Sequence, residues 1–308
     1  MRVAIVIPNY NSGPLVIRAV EAMLSQITHH DVSVKIAVVD DGSLDDSASK
    51  IDQRFGSRIQ LIRLGRNQGR STARNAGVSA TESDVIIFVD SDCIPLGDQF
   101  ISSHLATFAG GADISFGNIT TPGTGFWDRL QRNSARWRLK ALQAGELWTF
   151  TTQNVAISRQ LFETVGGFDP VFDRHGFEDR DLFIKGAKSG ARVEFTEQAK
   201  VLHADRISLA SVSRKMGDAG LHVAWEFDDL HPDEYSRMHF SRLDCRRRPW
   251  LRTVDRLAWP LARWVSAQPG DWLESRWLPF AFRALGARTV YGLSFMHGTA
   301  VRRPSDHG

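Results

Sequence analysis

Asp90-Ser91-Asp92 directly follows the apolar run Val85-Ile86-Ile87-Phe88-Val89. Two carboxylates one residue apart, delivered at the end of a buried strand, are hard oxygen ligands suited to Mg²⁺ or Mn²⁺. Such ions usually complete their coordination with substrate phosphates rather than with an all-protein cage. Two earlier segments have the same placing: Pro8-Asn9-Tyr10-Asn11 follows Val3 to Ile7, and Asp40-Asp41-Gly42-Ser43 follows Val34 to Val39. Tyr10 can offer a ring face to a nucleobase, and Asp40 or Asp41 can accept a hydrogen bond from a base N–H or a ribose hydroxyl. In Arg66-Asn67-Gln68-Gly69-Arg70-Ser71-Thr72-Ala73-Arg74, Gly69 permits close approach, while Arg70 and Arg74 stand four apart at a helix start, suited to a diphosphate. Each segment alone also reads as a turn, a helix cap or a solvated helix start. Together, at the ends of successive strands, they point to one crevice for a nucleotide and a metal ion.

The elements that must position these groups alternate. Strands are expected at Val3 to Ile7, Val34 to Val39, Ile59 to Leu64 and Val85 to Val89, with helices at Leu15 to Gln26, from Ser43 or Asp45 to Lys50, and at Ser71 to Ala80. Apolar strands that do not alternate need cover on both faces, and strand–helix repetition means crossovers. The fold class is therefore α/β, a mostly parallel Rossmann-like sheet with helices on both faces, whose ligands sit at the carboxyl ends of the strands. Further on, Gln99 to Phe108, Arg159 to Val165 and Asp179 to Ser189 read as helices. Asp113 to Gly117, Asn154 to Ile157, Arg192 to Phe195 and Lys200 to Leu202 read as strands, and Thr121 to Leu147 has no readable pattern.

With 38 basic and 35 acidic residues among 308, the chain offers no case for nucleic-acid binding. Its two cysteines, Cys93 and Cys245, make no disulfide framework, and no Cys/His spacing suggests zinc. The expected setting is reducing and cytoplasmic. The first apolar run is too short for a signal-peptide core, and the best membrane-span candidate, Leu278 to Phe295, is interrupted by Arg283 and Arg288.

In order and residue type these motifs resemble the family 2 glycosyltransferases, inverting, nucleotide-sugar-dependent enzymes of the GT-A fold. The family's Pro-x-Tyr-Asn opening, Asp-Asp-Gly-Ser turn, Asn-x-Gly-x-x-x-Ala-Arg-Asn helix and Asp-x-Asp loop stand here as Pro8 to Asn11, Asp40 to Ser43, Asn67 to Asn75 and Asp90 to Asp92. Gln153-Asn154, the Gly166-Gly167-Phe168-Asp169 turn, Glu178-Asp179 and Val201-Leu202-His203 continue the likeness, which covers about residues 3 to 203. The resemblance implies a nucleotide-diphosphate sugar as donor, contacted by Pro8, Tyr10, Asp40, Asp41, Asn67, Arg70, Arg74, Asp90 and Ser91. It implies Mn²⁺ or Mg²⁺ held by Asp90, Asp92 and His203, and Asp179 as the base that deprotonates an acceptor hydroxyl. Asn154, Glu178 and Asp181 would face the acceptor, a glycan or a lipid-linked sugar of polysaccharide or glycoconjugate biosynthesis. Phe177, where many relatives have Gly, and Gln153, where a smaller residue is commoner, depart from the pattern. A phosphohydrolase with Asp90 as nucleophile, a nucleotide-sugar pyrophosphorylase and a non-catalytic binding protein are the competing readings. The first lacks its motif on the first strand, the second lacks a Gly-rich loop there, and the third has no use for a base.

The expected domains are residues 1–205, catalytic, and 206–308, a helical extension rich in Trp and Arg. Arg206 to Trp225 reads as helix. Trp250, Leu251, Val254, Leu257, Ala258, Leu261, Trp264 and Val265 then follow helical spacing, with Arg252, Asp255, Arg256 and Arg263 opposite and a kink expected near Pro260. That stripe suits packing on the catalytic domain or on a second subunit of a homo-oligomer. A basic amphipathic helix also suits peripheral contact with an anionic membrane, at its inner face, through residues 246–308, a use supported by Arg246 to Arg248 and Arg302-Arg303.

Overall fold

The computed structural model describes residues 1–269 and 271–301, so Arg302 and Arg303 lie outside the described residues. Its contacts group residues 1–123, 131–170 and 178–205 into one unit and residues 124–130, 171–177 and 206–308 into a second.

The first unit is an α/β sheet of eight strands: β1 (Arg2–Asn9), β2 (Ser33–Asp40), β3 (Gln60–Arg63), β4 (Val85–Val89), β5 (Cys93–Pro95), β6 (Ile114–Thr120), β7 (Asn154–Ser158) and β8 (Val193–His203), in the order β3-β2-β1-β4-β7-β6-β8-β5. The pairs β1–β2, β2–β3, β1–β4 and β6–β8 are parallel, while β7 runs antiparallel to β4 and β6, and β5 antiparallel to β8. The expected α/β class, mostly parallel, is what the chain adopts. Its helices are α1 (Gly13–Leu24), α2 (Ser47–Phe55), α3 (Arg70–Ser79), α4 (Phe100–Ala109), α5 (Phe126–Gln143), α6 (Arg159–Thr164) and α7 (Glu178–Lys188); α5 belongs to this unit from Gln131 on.

Period-2 geometry explains why these strands are apolar throughout. Val3, Ile5, Ile7, Val85 and Ile87 pack against Val16 and Val20 of α1, Ile51 of α2 and Phe100 of α4. Val6, Ile86 and Phe88, pointing the other way, meet Ala73 and Val78 of α3, Phe162 of α6 and Leu182 of α7. Both faces are covered, so alternation would leave polar side chains buried without water.

Three differences from the expected elements stand out. Thr121 to Leu147 contains the 18-residue helix α5. Arg192 to Phe195 and Lys200 to Leu202 are one strand, β8, whose register with β6 shifts between Gly117 and Asn118; a bulge, not a break, separates the two apolar stretches. Cys93–Pro95 adds a short strand that pairs Cys93 with His203, binding the residue after Asp92 to the end of β8.

The second unit is helical: α8 (Leu209–Asp218), a π-helical turn (Ala219–Val223), α9 (Ala224–Leu230), α10 (Pro232–Arg237), α11 (His239–Leu243), α12 (Leu251–Ala267), α13 (Asp271–Glu274) and α14 (Phe280–Ala300). Glycine lets α14 lie against α8, since a Cβ on Gly298 would stand 2.2 Å from the Gly217 carbonyl oxygen. Phe177 is buried here, its ring 4.6 Å from that of Phe227 and 5.4 Å from that of Phe240. Its φ of 68° is a conformation that favours glycine. The Gly-to-Phe departure therefore keeps the glycine-like backbone, at a cost of about 1–3 kcal/mol that aromatic burial offsets.

Candidate active site

The site is built where β1, β2, β4 and β7 end or begin. Asn9, the last residue of β1, donates through Nδ2 to Asp40 Oδ1 at 2.7 Å and to Ser47 Oγ at 3.1 Å. Asp40 also accepts from the Ser43 hydroxyl at 2.6 Å. Asp41 accepts the backbone N–H groups of Gln68 at 2.7 Å and Gly69 at 3.0 Å. Burial pushes the Asp41 carboxyl above its ordinary value, and those two amides only partly oppose it. Gly42 is needed for this closure: its φ is +71°, and a Cβ would come within 2.5 Å of the Arg66 carbonyl carbon. Asp41 thus holds the β2 turn to the Asn67–Gly69 loop, while Asp40 ties that turn to the end of β1. Asn67 is exposed, with its side-chain oxygen accepting from Gly69 N at 3.2 Å. Pro8 is half-buried, whereas Tyr10 and Arg70 are exposed.

Ser91, in the middle of the acidic loop, shares a 2.7 Å hydrogen bond with Ser12, which locks that loop to the segment after β1. Arg74, on the first turns of α3, is 1% exposed and lies among three carboxylates. Its Nη2 donates to Asp90 Oδ1 at 2.9 Å, and its Nη1 stands 3.4 Å from Asp179 Oδ1 and 3.8 Å from Glu178 Oε1. Its guanidinium carbon is 5.3 Å from the centroid of Phe168, in the Gly-Gly-Phe-Asp turn. Burial disfavours charge on both partners, yet the acids raise the Arg74 pKa, and the charges of Arg74 and Arg70 hold Asp90 below the ordinary carboxylate value.

Asp179 is in the first turn of α7. It accepts the Thr152 hydroxyl at 2.6 Å and the Thr152 N–H at 3.2 Å. Burial and the Glu178 charge nevertheless raise its pKa, outweighing Arg74 and Thr152. On the opposite side of Asp90, Asp92 Oδ2 lies 3.4 Å from His203 Nε2. His203 is buried, which opposes its charge, but Asp92 and Asp90 raise its pKa. Its Nδ1 is buried without a hydrogen-bond partner.

Asn154 and Asp181, expected at the acceptor, make structural contacts. Asn154 spends both amide hydrogens on the carbonyls of Asn118 at 3.1 Å and Ala199 at 2.9 Å, and its oxygen meets His104 Nε2 at 2.9 Å. Asp181 is buried and paired with Lys185 at 2.7 Å, and Lys185 also donates to the Gly167 carbonyl at 3.1 Å. Both brace the sheet and the α7 start. Glu178 is also buried and sits by Arg74.

Sequence reading places Thr152 only as the first residue of the acceptor-side segment Thr152 to Arg159, and misses His104 and Arg138. Thr152 had a signal, being two residues before Asn154. His104 did not: it is buried in α4 between Ser115 and Asn154, and desolvation lowers its pKa to about 4, so it is a neutral brace. Arg138 comes from α5 and lines a cavity of ≈ 50 Å³ with Asn118, Phe150, Thr151 and Phe195. Burial and the nearby Arg180 charge lower its pKa to about 10, against the opposing pull of Asp179. Asp179 thus has three arginines around it, and Arg74 is in contact with Asp90 as well.

A mixed sheet carries paired acids at one strand end and a half-buried, hydroxyl-bonded Asp179 beyond it, and comparison with known proteins gives the class. Residues 4–166, more than half of the chain, match the family described as Glycosyl transferase family 2, and the chain belongs to that family. Residues 139–206 also match the description "N-terminal domain of galactosyltransferase". Among curated relatives, the succinoglycan biosynthesis protein ExoO of Rhizobium meliloti (strain 1021) is 31% identical over 180 residues, 58% of this chain and 50% of that protein. ExoU of the same organism is 26% identical over 277 residues, 82% of this chain and 74% of that protein. The chain spans about half the length of the first curated relatives it matches. Among solved structures, the mannosyltransferase PcManGT from Pyrobaculum calidifontis, in complex with GDP-Man and Mn2+, covers 100% of this chain and 88% of its own. Its TM-score is 0.61 at 18% identity, a likeness of fold.

Proposed function

We propose that this protein is an inverting glycosyltransferase of polysaccharide or glycoconjugate biosynthesis. It moves a sugar from a nucleotide-diphosphate donor to a hydroxyl of a glycan or lipid-linked acceptor. The observation that carries the reading is the convergence of Asp90 and Asp179 on one buried guanidinium, that of Arg74. A carboxylate able to take a proton beside a loop suited to a divalent ion is what supports the reading.

Asp92 and His203 fit a divalent ion: a carboxylate and an imidazole stand 3.4 Å apart, the carboxylate is partly open to solvent, and Asp90 is close by. Among the described residues no group of three or more His, Cys, Asp or Glu forms a cage, so diphosphate oxygens and water would complete the coordination, the usual habit of Mg²⁺ and Mn²⁺ sites. When bound, Mn²⁺ or Mg²⁺ supplies positive charge for the departing diphosphate.

The chain's own residues do the rest. Arg70, exposed at the start of α3, faces the donor phosphates with the N-terminus of that helix. Tyr10 and Asn67 border the nucleoside, and Pro8, Asp40 and Asp41 fix the turns around it. Asp90 reaches the ribose or the ion from a position set by Arg74 and Ser91. Asp179 takes the proton of the attacking hydroxyl at its carboxylate, a contribution of about 10²–10⁴-fold for general base catalysis. The hydroxyl oxygen, its proton taken by that one base, bonds to the anomeric carbon from the face opposite the leaving diphosphate, which gives inversion. Glu178 and Asp181 hold the base and its helix, and Asn154 braces the strand below them.

Thermal unfolding with a panel of nucleotide sugars, in Mn²⁺ and in EDTA, tests the reading. The right donor at about 100 times its Kd should stabilise the protein by about 2.7 kcal/mol, in Mn²⁺ only. No shift with any donor would overturn it.

A further inference from the structure

The apolar stripe of α12 faces outward. Trp250, Val254, Leu257, Leu261 and Trp264 follow one another at steps of four and three, and all are exposed, Leu257 to 78% and Trp264 to 61%. The packed side is a flank distinct from this stripe and from the exposed Arg252, Arg256 and Arg263. Leu251 and Ala262 are buried, Asp255 is buried beside His297 Nδ1 at 3.2 Å, and the Trp259 ring stacks on that imidazole at 4.1 Å. The helix has thus buried its acid and exposed Leu257 and Leu261, the reverse of a helix whose apolar face supplies the core. A second apolar group lies after α13, where Trp277 is 95% exposed and Leu278, Phe282 and Leu285 follow at steps of four and three. Isolated exposed apolar residues are ordinary, but two such rows in one helical unit mark an interaction surface.

Charge selects the partner. Residues 246–301 carry nine arginines against three acids; two of the nine, Arg246 and Arg247, pair with Asp244 and Asp228. Arg252, Arg256 and Arg263 are exposed on α12 itself, whose one acid is the buried Asp255. Tryptophan is favoured at the headgroup level of a bilayer, and arginine beside it favours anionic lipid. Among the described residues no helix is long and apolar enough to cross a membrane, so the contact is with the surface. We propose that α12 and the Trp277–Leu285 segment form a docking face for an anionic lipid bilayer, with Trp250, Leu257, Leu261 and Trp264 inserted at the headgroup level and the arginines against lipid phosphates. The inference does not depend on the proposed reaction, although a lipid-linked acceptor would lie at the same surface.

Flotation of the full chain with phosphatidylcholine vesicles, with and without phosphatidylglycerol, tests it. The wild type should float with the phosphatidylglycerol vesicles and much less with phosphatidylcholine alone. L257E/L261E replaces exposed side chains and should lower partitioning by at least about tenfold, with thermal unfolding confirming that it stays folded. R252Q/R256Q/R263Q should lose roughly fivefold per arginine and keep only the binding seen without phosphatidylglycerol. A wild type that stays unbound would overturn the proposal. So would L257E/L261E floating like the wild type, or light scattering that shows a wild-type dimer, split by L257E/L261E, with flotation unchanged; the stripe would then belong to a second copy.

Discussion

Arg74 and Asp179 stand 105 positions apart in sequence yet 3.4 Å apart in the fold, and the same guanidinium holds Asp90 at 2.9 Å. A single buried cation thereby fixes the spacing between the acidic loop after β4 and the carboxylate on α7. It neutralises acids that would otherwise repel one another in a desolvated site. The Arg74→Gln variant leaves Asp90, Glu178 and Asp179 without it. Transfer should fall by at least about 10²-fold, and stability by about 3–5 kcal/mol. Arg74→Lys, which keeps charge but not the fork of donors, should recover stability more than rate. Steady-state kinetics and denaturant unfolding on both variants check this.

Thr152 donates two hydrogen bonds to Asp179, and these favour the ionised carboxylate. Thr152→Val removes the hydroxyl bond. The Asp179 pKa, already raised by burial and Glu178, should rise further. A base must be unprotonated to act, so activity falls as pH drops through its pKa. The acid limb of kcat/KM should therefore stand above the ordinary aspartate value in the wild type and move to higher pH in Thr152→Val.

Asp92 faces His203 at 3.4 Å and is the more open of the two acids in its loop. Asp92→Ala should weaken nucleotide-diphosphate binding in Mn²⁺ and leave binding in EDTA unchanged. Calorimetric titration under both conditions reads this directly; equal losses would remove Asp92 from the ion.

In the helical unit, Asp244 is fully buried and accepts from Tyr235 Oη at 2.8 Å and from Arg246 Nε at 2.9 Å. Burial opposes its charge, but Arg246 and Tyr235 hold its pKa below the ordinary value. A depressed carboxyl pKa gives stability that is present above the unfolded value and is lost as pH falls through the folded one. Asp244→Asn should cost about 3 kcal/mol at neutral pH and flatten the loss of stability on acidification below the ordinary aspartate range. Urea unfolding across that range measures both.

The sheet was legible because its signal is local. Val85 to Val89 is apolar without interruption, and a strand buried on both faces needs that. The acidic loop, the arginine helix and Asp179 were legible as residue types at strand ends and helix starts. The partners of those residues were not. Arg74 reads as a phosphate ligand from its spacing with Arg70, yet lies buried among acids that only the folded sheet brings together. Asn154 follows the acceptor-side pattern, but the β6–β8 bulge turns carbonyls toward its amide. Helix α5 was not legible because six charged residues are interleaved with its apolar ones and mask the period. The α12 stripe was visible as a period, whereas which face the unit would bury depended on the Asp255–His297 pair, which periodicity does not encode.

Asp179→Asn, nearly isosteric, tests the central claim most directly. Donor binding in Mn²⁺ should stay within about twofold of wild type while transfer falls by about 10²–10⁴-fold. Transfer at the wild-type rate by a folded, donor-binding Asp179→Asn protein would contradict the assignment of Asp179 as the base.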